Sequence, residues 1–209
     1  MSSFDEPVKT SVTIETARAI VESGDAHAIA EHAADLVSGK PTALATGARV
    51  LEEVLLRKPE MLVPQIERLV SVVSSPNRRA VQTAAAALPA MARLAPARVA
   101  RHLPLLTERF ATASDIAKDG LVATFAALCT ASVAYQKRLE PVLELALSSA
   151  DAAILGRWAE TILPSLKGEP HARARAVVEA RLPAIPRAQA QPIATFLGIK
   201  LRPAPAAAR

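Results

Sequence analysis

Three carboxylate and imidazole side chains in "HAIAEHAAD" have the spacing that metal chemistry uses. His27, Glu31 and Asp35 follow one another at single helical turns, so a helix collects them on one face, as a zinc or other divalent-cation site requires. His32 lies five residues from His27 and points away from that face, and neither HExxH nor its inverted form occurs. The segment therefore reads as a solvated helix face, with no metal expected. Cys129 sits in the apolar run "ATFAALCTAS" with no histidine nearby in sequence, which predicts a buried structural thiol rather than a nucleophile. As the sole cysteine it also excludes an internal disulfide. His102 and His171 belong to no ligand cluster, and the serines lack the elbow that a nucleophilic triad needs. An enzymatic role stays open, but these residues favour a chain without one, and they call for no cofactor.

The basic residues carry more information. Arg98, Arg101 and Arg109 fall on the second helix expected in one unit of the chain, with Arg68 at the corresponding place one unit back and Lys137 and Arg138 one unit on. If equivalent positions stack, Arg68, Arg101, Arg109, Lys137 and Arg138 form a stripe that meets carboxylates of a protein partner or phosphates of a nucleic acid. Glu67, Glu108 and Glu140 interrupt it. Charge is uneven along the chain as well. Residues 1–56 carry four basic and nine acidic side chains, a net of minus five, residues 57–109 a net of plus six, and residues 110–209 a net of plus four. That asymmetry steers an anionic partner toward the middle of the chain without specifying a site.

The elements that must position these side chains are helical. The chain of 209 residues is 51% apolar, mostly through alanine, leucine and valine, with four Phe, one Tyr and one Trp. Alanine has the highest helix propensity and lets helices approach closely. Val81, Ala84, Leu88 and Met91 recur at three and four, as do Val99, Leu103, Leu106 and Phe110, and no long segment alternates with period two. No apolar run reaches the roughly 18 residues that cross a bilayer, and "MSSFDEPVKTS" lacks the order of a secretory signal. A cytoplasmic chain with no membrane partner is the expectation.

The helical text repeats. Units begin near residues 41, 77, 115 and 151, a period of 36 to 38, and align Ile66 with Leu103 and Leu139, and Leu69 with Leu106 and Val142. Two helices joined by short turns fill such a unit. Pro59 and Pro96 occupy equivalent places, where proline suits the first turn of a second helix. Pro64, Pro89, Pro104, Pro141 and Pro164 fall in or near apolar helical text and are expected to kink it. Residues 1–40 read as a capping helical pair, 41–182 as the repeats, and 183–209 as one short helix from Gln191 to Leu197 and a mobile Pro/Ala tail. The fold class is all-α, an α-α superhelix or solenoid of about four to five helical hairpins.

The pattern of Ala80, Val81, Ala84, Ala87 and Leu88 after a polar turn with Arg78 and Arg79, followed by a helix striped with Leu103 and Leu106, resembles HEAT repeats and their bacterial HEAT-like relatives over roughly residues 41–182. The resemblance implies a non-enzymatic protein-protein interaction scaffold, its partner an unidentified and acidic protein. One branch resembling HEAT proteins, the DNA alkylation repair glycosylases, gives the alternative of a nucleic-acid-binding module. That likeness would ask aromatic and carboxylate residues such as Trp158, Tyr135, Asp119 and Glu160 to meet a damaged nucleotide. The Asp–Arg ladder of strong repeats is reduced to Asp115 and Asp151 against Arg78, Arg79 and Arg157.

Overall fold

A computed structural model describes residues 6–201, with side chains described from residue 12 onward. The expected mobile tail beyond Lys200 lies almost wholly outside that range. Among the described residues the chain forms twelve α-helices, four 3-10 segments and no strand. It divides into two compact units, residues 1–131 and 132–209.

The first unit opens with α1 (Glu6–Ser23) and α2 (Ala26–Asp35), both packed on α3 (Pro41–Arg57). A second segment then runs as a 3-10 turn (Pro59–Gln65) and α4 (Ile66–Ser71). α5 (Arg78–Leu94) lies on α3 and, most extensively, on α8 (Asp115–Ala131), while α6 (Pro96–Ala100) and α7 (Leu103–Phe110) fill the interval between them in sequence. The repeat is visible in the backbone. Lys58 and Ala95, 37 residues apart, turn the chain with nearly the same dihedrals (φ −149°, ψ 67° and φ −140°, ψ 61°). Gln65 and His102, again 37 apart, break the second helix at φ −98°, ψ 6° and φ −96°, ψ 2°. Pro59 and Pro96 each start the segment after the turn, where a missing N–H costs nothing.

The second helices are therefore not continuous rods in these two repeats. They are broken at one shared position, one residue before Ile66 and Leu103, and both of these side chains are buried. In the second unit α9 (Val133–Ser149) is continuous, and the register slips: Leu139 is buried as aligned, but the next core position is Leu143, with Val142 only half-buried. In the same unit α11 (Gly168–Arg181) packs on α9, and α12 (Arg187–Leu197) packs on α10 (Ala152–Ile162). The short C-terminal helix thus begins four residues before Gln191. α10 and α11 each run into a Leu-Pro 3-10 turn, Leu163–Ser165 and Leu182–Ala184, left by residues with matching extended dihedrals.

The prolines of the apolar helical text fall in different places. Pro64 and Pro164 sit in 3-10 turns and Pro104 in the first turn of α7, but Pro89 and Pro141 lie inside α5 and α9 without ending them. Pro89 has a use there. It has no N–H to give the Ala85 carbonyl, and that carbonyl faces Gly120 of α8. A Cβ on Gly120 would lie 2.5 Å from both Cα and Cβ of Ala85 and 2.8 Å from its carbonyl oxygen. Gly120 on α8 thus lies against Ala85 of α5, the residue whose carbonyl Pro89 leaves without its usual donor.

Candidate interaction surface

The arginines of the expected stripe have different local duties. Arg68 is exposed on α4, and its Nη1 donates to Gln65 Oε1 at 2.5 Å across the broken turn. It lines an open groove of about 450 Å³ with Ala34, Val37, Pro64, Glu67 and Ser71. Val37 contributes an exposed apolar surface there. Arg109 is only half-buried, but its Nη1 donates to the Val70 carbonyl at 2.9 Å and lies 3.4 Å from that of Ser71. Those carbonyls belong to the last turn of α4, where the α-helical ladder gives way to a 3-10 turn (Val72–Ser74) and the Val70 carbonyl also accepts from Val72 N. Arg109 is therefore a C-terminal cap, reaching from one second helix to the end of the preceding one. The second unit repeats the device, since Arg181 Nη1 at the end of α11 donates to the Leu147 carbonyl near the end of α9 at 2.6 Å.

Lys137 and Arg138 are exposed on α9. Glu140, which the sequence places beside them as an interruption, is engaged elsewhere: Arg173 Nε donates to Glu140 Oε1 at 2.5 Å and its Nη1 to Glu169 Oε1 at 2.6 Å, with Glu144 at 3.7 Å. The hydrogen bond that Arg173 donates to Glu140 is the main cause holding the Arg173 pKa above its ordinary value. Arg101 is exposed with φ −61° and ψ −28°, so it continues the turn of α6 one step beyond Arg98. No ion pair or side-chain hydrogen bond engages Arg93, Arg98 or Arg101 among the described residues.

Arg79 has a partner that the sequence pattern missed. It pairs with Glu52 of α3, which also accepts a hydrogen bond from Thr83 Oγ1 at 3.2 Å. The link between successive first helices is thus carried here by a glutamate one repeat back, not by an aspartate at the start of a unit. A smaller open recess of about 300 Å³ beside it, lined by Thr13, Ile14, Arg49, Glu52, Glu53 and Arg79, mixes both signs of charge.

The residues considered for chemistry are placed plainly. His27 and Glu31 stand 3.6 Å apart and well exposed, and His32 Nδ1 lies 3.5 Å from Asp35 Oδ2, so the two histidines turn to different carboxylates. Cys129 is fully buried, and burial pushes its thiol from 9.0 up to about 12. Trp158 is buried and belongs to the core of its unit, where its ring is covered rather than offered to a base, while Tyr135 and Asp119 are half-buried and Glu160 is exposed.

What the sequence pattern did not single out is the apolar part of the surface. Leu56 and Leu94 are 78% and 48% exposed at the ends of α3 and α5, next to Arg57 and Lys58 and to Arg93. Leu94, three residues after buried Met91 and one before the turn at Ala95, carries no signal of exposure, whereas Leu56 stands two residues past buried Val54 and two before the turn at Lys58. No family model, curated protein or solved structure matches this chain.

Proposed function

We propose that the chain is a non-enzymatic interaction module of helical-repeat type, an α-α superhelix of about four to five hairpins, that binds an acidic segment of a protein partner. One observation carries the reading. Between Glu67 and Glu108 the chain holds six arginines, Arg68, Arg78, Arg79, Arg93, Arg98 and Arg101, and no acidic residue. Five of the six, Arg68, Arg78, Arg93, Arg98 and Arg101, are exposed without a carboxylate partner among the described residues, and leucine-sized apolar surface lies beside Arg93. Guanidinium forks match carboxylates two bonds at a time, and exposed apolar groups among them favour a partner that brings apolar side chains of its own. The repeated backbone turns at Lys58 and Ala95 support the repeat reading.

The same arginines favour a second reading, a nucleic-acid surface, because guanidinium also recognises phosphate. The two separate by salt. Fluorescence anisotropy with a labelled helical Glu/Leu peptide and with labelled duplex DNA, at about 0.05 and about 0.3 M salt, decides between them. The proposal expects micromolar affinity for the peptide that survives the higher salt within about fivefold. DNA affinity exceeding that of the peptide and collapsing with salt would replace it with the nucleic-acid reading.

A further inference from the structure

We infer that the partner docks on the turn edge of the first unit, at the α5–α6 turn and its equivalent one repeat back, and that the partner is an acidic amphipathic segment anchored there by leucine-sized side chains. This rests on the interaction-module reading above and assigns it a site.

The α5–α6 turn is a compact basic and apolar surface. Arg93, Leu94, Arg98 and Arg101 fall within nine residues, all exposed. Ala95 N donates to the Met91 carbonyl at 2.8 Å, and Arg98 N and Val99 N both donate to the Ala95 carbonyl at 3.0 and 3.2 Å, so the turn is held by its own backbone. Because Arg101 keeps helical dihedrals, it follows Arg98 at the i, i+3 spacing that sets two side chains about 5–6 Å apart at Cβ on one face. Two unpaired guanidinium groups at that distance repel one another until an anion bridges them, and an ordered turn loses little freedom on binding.

The preceding turn is built alike. Lys58 repeats the backbone of Ala95, Leu56 is the most exposed large apolar residue described, and Lys58 is exposed without a partner among the described residues. Each turn thus offers one exposed leucine beside at least one free cation. A phosphate backbone has no use for those leucines, and the edge has no exposed aromatic ring on which a base would stack. A segment whose carboxylates alternate with leucine-like side chains satisfies both parts, the apolar contact supplying affinity and the charges fixing register.

The test uses the full chain and the labelled Glu/Leu peptide, with a Glu/Ser peptide of equal length and charge as comparison, at about 0.3 M salt where long-range attraction is screened. Leu94→Ser is expected to weaken Glu/Leu binding about fivefold, and the pair Arg98→Glu and Arg101→Glu about tenfold or more, with the milder pair Arg98→Gln and Arg101→Gln intermediate. Arg68→Glu, in the other groove, is expected to stay within about twofold. All these positions are exposed, and unchanged helical circular dichroism verifies each variant. Equal affinity for the Glu/Ser peptide, or indifference to Leu94→Ser, overturns the assigned edge. Loss confined to Arg68→Glu moves the site to the Val37 groove and overturns this inference while leaving the acidic-partner reading standing. Absence of Glu/Leu binding overturns both.

Discussion

At the scale of single residues, the arginines divide into those that hold the fold and those that face water. Arg109 and Arg181 serve carbonyls at helix ends, so Arg109→Met is expected to lower stability by about 1.5–3 kcal/mol, the range for a hydrogen bond with a charged partner, while leaving peptide affinity within twofold. Urea unfolding and anisotropy on the same variant measure the two effects; weakened binding with unchanged stability would contradict the capping role. Cys129 gives a pH prediction with a definite sign. Its folded pKa of about 12 lies above its ordinary 9.0, so the unfolded chain loses this proton first as pH rises. The contribution of the neutral thiol is whole below pH 9 and falls between about 9 and 12. A Cys129→Ala variant should lose less stability than the parent over that window, as read by urea midpoints at a series of pH values. The thiol should also resist an aromatic disulfide reagent at pH 8 until the chain is unfolded. The burial of Cys129 was legible from its apolar neighbours. The capping role of Arg109 was not, because its acceptors lie 38 and 39 residues away and are backbone atoms, which leave no mark in the sequence.

Elements show where periodic reasoning succeeds and where it stops. The stripe Val81, Ala84, Leu88 and Met91 is buried throughout, since a helix repeats its face by geometry alone, and Val99, Leu103, Leu106 and Phe110 are buried as well although the helix breaks at His102 between α6 and α7. Asn77 caps α5 by accepting from Arg79 N and Ala80 N at 2.9 and 3.3 Å, as the boundary punctuation suggested; the boundary at Asp115 instead depends on Ser114, whose Oγ accepts from Ala117 N at 3.4 Å. Helix crossings follow from small residues whose partners the sequence does not name. Gly120 and Gly156 look alike in the alignment, yet they differ in what they touch. A methyl at Gly120 meets the backbone of Ala85, which cannot yield without moving α5, whereas at Gly156 it meets only the flexible end of Ile193 at 3.2 Å. Alanine gains about 1 kcal/mol of helix propensity over glycine, and overpacking costs about 1–3 kcal/mol. Gly120→Ala should therefore lower the melting temperature and Gly156→Ala leave it unchanged or raise it, both read by calorimetry. Because Pro89 and Gly120 share the Ala85 carbonyl, Pro89→Ala and Gly120→Ala should be non-additive by more than about 0.5 kcal/mol in a double-mutant cycle; strict additivity would deny that the two residues shape one crossing.

Across the whole chain, charge and helical content were readable at once, and the location of the interaction surface was not. An acidic start and a basic middle follow from counting, but counting treats Arg79, paired with Glu52, and Arg98, unpaired among the described residues, as the same charge. Leu94 was hidden for a related reason: its spacing of three from buried Met91 assigns it to the buried face of α5, yet at the last residue of that helix it is 48% exposed. These distinctions move the candidate surface from a stripe through Arg68, Arg101, Arg109, Lys137 and Arg138 to an edge where free arginine and exposed leucine lie side by side. The most direct measurement is an amide chemical-shift titration of the isotope-labelled chain with the Glu/Leu peptide. The account predicts perturbations centred on residues 93–101, with a second, weaker set at 56–58. Perturbations centred on residues 132–201, or a saturating peptide that leaves residues 93–101 unmoved, would contradict it.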